Sequence, residues 1–124
     1  MPFGAKLRRY RRFHKRYEVD WDASLEAVFN DLTGSIPGKL VNFSVGGALL
    51  KLETMYIKGQ HLVVSHFKPK LILTIFAPGG LLTSKIDIRW YDHIAEKNIF
   101  LVGVQCIDMI KDNKEIIEEI IADL

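Results

Sequence analysis

With 124 residues, 48% of them hydrophobic, and a formal charge of +2, the chain is the size of one domain that buries its own core without disulfides or metal. No apolar run is long enough to span a bilayer, and the opening MPFGAKLRRY has no apolar stretch behind its basic residues as a secretory signal would. The single cysteine, Cys106, excludes an intrachain disulfide and reads as a small core residue within IFLVGVQCID, so a cytoplasmic protein is expected.

Charge is divided unevenly. Residues 1–17 carry Lys6, Arg8, Arg9, Arg11, Arg12, Lys15 and Arg16 with no acid, while the rest of the chain holds ten basic and fifteen acidic groups, so an arm of +7 precedes a body of −5. The expected organisation is a flexible basic arm over 1–17 and a folded domain over 18–124. An arm of this sign suits a polyanion: nucleic acid, an anionic membrane surface or a phosphorylated small molecule. A solvated basic tail is the plainer alternative.

Strict alternation begins at Val19. Val19, Trp21, Ala23, Leu25, Ala27 and Phe29 are apolar with polar residues between most of them, the pattern of a half-buried strand. NDLTGSIPGK is rich in turn formers and reads as a connection. Leu40 to Ser44 and Ala48 to Leu52 are short strands separated by Gly46 and Gly47, which permit a tight or left-handed backbone. HLVVSHF and LILTIF are two further β-rich runs, and APGG is a turn. KIDIRWY alternates, with Ile86, Ile88 and Trp90 on one face, and Ile99 to Ile107 is the last strand. Asp112 can then cap a helix with Glu115 as its return partner, and Ile116, Ile117, Ile120, Ile121 and Leu124 share one face of that helix. About seven short strands with turn signals between them predict a sandwich or barrel, with one C-terminal helix over an open end or a neighbour.

Catalytic chemistry is not legible. His14, His61, His66 and His93 are not spaced to ligate a metal together, and no serine elbow, phosphate-binding loop or dinucleotide fingerprint occurs. Asp20 and Asp22 share a strand face but alternate as solvent-facing residues do. No enzyme, metal site or cofactor is expected.

Two stretches remain. Arg12 and Arg16 are four apart, and an arginine fork can grip a phosphate bidentately, stack on a base or pair with a guanine edge. Asn42 and Ser44, two apart on a strand, point to the same face and offer donors and acceptors, while Gly47 permits a close approach. By itself NFSVGG could equally be a hairpin turn whose Asn and Ser satisfy local backbone groups.

Taken together, Arg12-x-x-x-Arg16 and Asn42-x-Ser44-x-x-Gly47 resemble the paired RxxxR and [D/N]xSxxG signature of the PilZ domain family. VDWDASLEA, IDIRWYD and FLVGVQCIDM are similar to that family's strands, so the resemblance covers nearly the whole chain. It implies an antiparallel β-barrel of six or seven strands with a flanking helix, and binding of the bacterial second messenger cyclic di-GMP. Carried over by position, Arg12 and Arg16 would clamp phosphate and guanine, Asn42 and Ser44 would read the ligand from the strand face, and Gly47 would supply the backbone shape. Trp90 would pack near a base, although its place beside Ile86 and Ile88 fits ordinary core equally well. Arg8 and Arg12 also satisfy the arginine spacing. Arg12 and Arg16 are preferred because Arg16 directly precedes the first strand, which leaves Arg8, Arg9 and Arg11 for further ligand contacts. The arm is expected to become ordered on binding and so signal to a downstream protein partner. Nucleic acid is not the expected partner, although Tyr10, Phe13 and Tyr17 between the basic residues would suit it. The alternative is a PilZ-like interaction adaptor that binds no nucleotide.

Overall fold

The computed structural model describes residues 16–44, 46–109 and 122. Of the helix expected between Asp112 and Leu124 only Ala122, which is helical, is described, and the arm up to Lys15 lies outside the described residues.

The alternating run forms strand β1, Tyr17–Val28. It is followed by β2 (Thr33–Phe43), β3 (Gly47–Leu52), the short β4 (Tyr56–Ile57) and β5 (Gln60–His61), then β6 (Lys70–Ala77), β7 (Gly80–Ile94) and β8 (Ile99–Met109). Six of them close an antiparallel barrel in the order β1-β2-β3-β8-β7-β6, and β4 and β5 pair with each other as a separate hairpin. Closure leaves the sheet no free edge over most of its length, which a single-domain β protein otherwise has to protect.

Period-two alternation decides what fills the barrel. Ala23, Leu25 and Ala27 of β1 and Phe29 just past its end point inward with Leu40, Leu50, Leu52, Leu73 and Val102, all buried, and each such leucine or valine stabilises the fold by roughly 1.5–3 kcal/mol. Tyr17 and Trp21 both stack obliquely on Phe43 at ring separations of 5.6 Å, fixing the start of β1 against the end of β2. The opposite end is stopped by the β4–β5 hairpin, whose Met55, Ile57 and Leu62 are buried. Asp20 and Asp22 face solvent around Lys39, whose ammonium lies 2.8 Å from Asp22 and 3.8 Å from Asp20. The Asp22 hydrogen bond and both carboxylate charges push the Lys39 pKa up.

Three sequence expectations need correction. NDLTGSIPGK is not one connection: the turn ends at Leu32, where the Phe29 amide donates to the Leu32 carbonyl, and Thr33 onward is strand. Pro37 and Gly34 are tolerated because β2 pairs with β3 only from Gly38 on, so the first half of β2 has a single barrel neighbour and needs no amide on its other side. Gly34 in addition leaves room for the Ile57 side chain.

HLVVSHF does not form a strand beyond His61. The His61 Nδ1 accepts the amides of both Val63 and Val64, at 3.0 and 2.9 Å, which curls the backbone and turns both valines outward.

Trp90 does not share the face of Ile86 and Ile88. The β7–β8 register shifts between Ile88 and Trp90, so Arg89 is an extra residue and Trp90 lands on the outside of the barrel, 50% exposed.

Candidate ligand-binding surface

Because directly paired residues of an antiparallel sheet share a face, the register traces one row across the barrel's outer surface. Glu18 pairs with Asn42, Asn42 with Leu49, Leu49 with Gly103, and Gly103 with Trp90. Asn42 reaches this face through a register shift between Leu40 and Asn42, the counterpart of the one that turns Trp90 out. Two bulges therefore aim Asn42 and Trp90, which stand three strand spacings apart, or about 14 Å along the sheet.

Arg16 lies one residue before β1 and donates from Nη1 to Asn42 Oδ1 at 3.0 Å. The second arginine of RxxxR and the asparagine of NxSxxG, 26 residues apart in sequence, are thus in direct contact. Tyr17 turns inward onto Phe43, and this anchors the backbone that carries Arg16 to the outer face.

The turn between β2 and β3 is held at both ends. The Ser44 amide donates to the Gly47 carbonyl at 2.9 Å, and the Cys106 amide to the Gly46 carbonyl at 3.0 Å. A side chain at Gly47 would meet the Val104 carbonyl oxygen at 2.6 Å. Gly47 is therefore required by the close approach of β3 to β8 and not by a left-handed backbone. Strand β2 ends at Phe43, so Ser44 belongs to the turn and its position does not follow from strand alternation. It lines the apolar barrel mouth with Trp21, Phe43 and Cys106. Burial pushes the Cys106 thiol pKa up, which keeps it protonated and suits the core role read from the sequence.

At the far end of the row the Trp90 indole lies so close over Gly103 that a β-carbon there would overlap the ring. Glycine thus lets the indole approach the barrel wall closely. Next to it Arg89 hydrogen-bonds Gln105, which pairs with Gly47 and Asp87 in the adjacent row. Arg89, Gly103 and Gln105 are not singled out by the sequence. The bulge that places Arg89 beside Trp90 has no residue signature, but the glycine in LVGV could have been read as a site of close approach. Arg8, Arg9, Arg11 and Arg12 lie outside the described residues. The structure brings together Arg16, Asn42, Gly47 and Trp90 on one side of the barrel, a surface with guanidinium and amide groups at its ends, a half-buried Leu49 floor and an exposed indole.

The closed six-stranded barrel has the fold of a known class of domain. A sequence model of the PilZ domain matches residues 7–123, and the chain belongs to the PilZ domain family. Among solved structures, the PilZ domain of YcgR from Escherichia coli with c-di-GMP superposes with a TM-score of 0.65 at 14% identity, over 92% of this chain and 91% of that one. MrkH, described as a c-di-GMP-dependent transcription regulatory factor, gives 0.60 at 16% identity over 89% of this chain. The MrkH–c-di-GMP complex from K. pneumonia gives 0.61 at 18% identity over 91% of this chain. The chain spans about half the length of the MrkH chains, 49% and 51%. No curated protein matches it in sequence.

Proposed function

We propose that this domain is a receptor for cyclic di-GMP. The observation that carries the reading is the Arg16–Asn42 hydrogen bond, because it joins the two halves of the family's signature on an outward-facing surface. The ligand presents two phosphates and two guanines. In this reading Arg12 and Arg16 clamp phosphate and a guanine edge, with Arg8, Arg9 and Arg11 adding contacts from the arm. Asn42 supplies an amide to the floor, Ser44 offers its hydroxyl from the turn beside it, Gly47 keeps β3 close to β8, and Trp90 offers a π-face to a base.

The arm supplies the signal. Fixing its residues costs about 1–2 kcal/mol each in backbone entropy, and charge-assisted hydrogen bonds of roughly 1.5–3 kcal/mol offset this. Arm order is then coupled to ligand, which changes the surface offered to a downstream partner. No catalytic step is assigned to the protein.

Calorimetry with cyclic di-GMP, with GMP and cyclic di-AMP as controls and Arg16→Ala alongside, tests the reading and reports the stoichiometry. Selective binding that the variant loses supports it. A folded protein that ignores cyclic di-GMP overturns it in favour of a ligand-free adaptor.

A further inference from the structure

On the side of the molecule away from the barrel mouth, the segment from β4 to the start of β6 carries apolar side chains that the fold does not use. Val63, Val64 and Phe67 are 45%, 70% and 63% exposed, and Tyr56 beside them is 55% exposed. Their outward position is built in. The His61 ring holds the amides of Val63 and Val64, and Ser65 Oγ donates to the Phe67 carbonyl at 2.7 Å. The ring itself is braced edge-on by Tyr56 at 5.0 Å and obliquely by Tyr91 at 5.4 Å. Leu62 and Pro69 are buried and tie both ends of the loop to the body.

The charged residues within the segment itself have one sign. Between Thr54 and Ile86 there are four lysines, Lys58, Lys68, Lys70 and Lys85, and no acidic residue. Lys68 is neutralised by Asp87 of β7 at 3.2 Å. Lys58 projects from the hairpin tip, where it and Gly59 both have positive φ, 49° and 83°, and Lys70 is exposed at the start of β6.

We propose that the 56–70 loop is a membrane-docking element that inserts Val63, Val64 and Phe67 into the interface of an anionic lipid surface, with Lys58 and Lys70 at the headgroups. Apolar side chains on a short protruding turn bury well in a soft interface, whereas a protein partner of ordinary size needs a broader face. The exposed Lys58 and Lys70 are attracted by anionic leaflets. Within the turn, the Val63 and Val64 amides and the Phe67 carbonyl already have partners inside the loop, which lowers the cost of taking that backbone out of water. The loop borders the Trp90 end of the candidate surface through the Lys68–Asp87 ion pair and the His61–Tyr91 contact, but none of the residues proposed to enter the lipid belongs to the Arg16–Asn42–Trp90 row, and the proposal does not rest on the nucleotide reading.

The test is co-sedimentation of the full chain with phosphatidylglycerol–phosphatidylcholine vesicles and with phosphatidylcholine vesicles, using wild type, a Val64→Ser/Phe67→Ser double variant and a Lys58→Ala/Lys70→Ala double variant. The expected result is binding to the anionic vesicles that drops by about tenfold or more in the serine variant and weakens in the alanine variant. Phe67→Trp should be quenched by brominated lipid in the same vesicles. Because the variants change exposed side chains, their thermal unfolding should match wild type. Equal vesicle binding by wild type and the serine variant overturns the proposal and assigns the lipid contact to the basic arm. Failure of the folded protein to bind either vesicle also overturns it and points to an acidic protein as the partner of this loop.

Discussion

Trp90 covers Gly103 on the outer wall of the barrel, so closely that a β-carbon at position 103 would overlap the indole. Gly103→Ala is expected to lift the ring, at a cost of about 1–3 kcal/mol for the overpacking, read as a lower urea midpoint with unchanged slope. Trp90→Ala relieves the same crowding but removes the π-face. It should leave the barrel folded and weaken cyclic di-GMP binding by about five- to tenfold, corresponding to the roughly 1 kcal/mol or more of an aromatic stacking contact. Unchanged affinity in Trp90→Ala would remove the indole from the ligand surface.

Arg16 and Asn42 make a second pair of predictions. Arg16 is exposed and precedes the first strand, so Arg16→Ala should change stability by no more than about 0.5 kcal/mol while costing at least about tenfold in ligand affinity through lost charge-assisted bonds. Arg16→Lys should not restore it, since an ammonium lacks the planar fork. Asn42→Asp keeps the acceptor that Arg16 uses and should retain binding, whereas Asn42→Leu should not. Titration calorimetry together with thermal melts of the four variants separates these outcomes. Unfolding of Arg16→Ala at ordinary temperature would show that Arg16 supports the barrel and is not merely a ligand contact.

How much of this arrangement is legible in the sequence depends on where alternation survives. Strands β1 and β8 are readable because Ala23, Leu25, Ala27, Val102 and Val104 keep period two through the core. The first half of β2 is hidden, because Gly34 and Pro37 carry turn chemistry and only the missing neighbour on one side lets them extend. The loop after β5 is hidden for the opposite reason: Val63, Val64 and Phe67 look like strand, and a histidine side chain takes the amides that a ladder would need. The candidate surface is half readable. Motif spacing singles out Arg16, Asn42 and Gly47, but the bulges that put Asn42 and Trp90 on one outer face have no residue signature and emerge only in the pairing register.

The two glycines of NFSVGG should respond unequally to substitution. A methyl group at Gly47 meets the Val104 carbonyl at 2.6 Å, and a backbone oxygen in a paired strand cannot move aside as a side chain end can. Gly47→Ala is therefore expected to destabilise by about 1–3 kcal/mol and to disturb the β3–β8 pairing, visible as faster exchange of the Cys106 amide. A methyl group at Gly46 would meet no atom of the described residues within 4 Å, so Gly46→Ala should stay close to wild-type stability. Equal effects at the two positions would contradict the close-approach explanation for Gly47.

Acidification should open the 61–67 loop before it affects the barrel. Burial lowers the His61 pKa from its ordinary value, so the folded loop favours the neutral ring, and that ring accepts two amides at Nδ1. A depressed histidine pKa contributes stability that is present above the unfolded value of about 6.5 and is lost as the pH falls through the lower folded value. Once protonated, Nδ1 becomes a donor and can no longer hold the amides of Val63 and Val64. Hydrogen-exchange protection factors, corrected for intrinsic rates, should therefore fall at Val63 and Val64 between neutral and mildly acidic pH, while those of Leu25 and Leu73 in the core stay constant. His61→Ala should show low protection at both amides at every pH. Persistent protection in that variant would mean that the valine amides are held by something other than the imidazole.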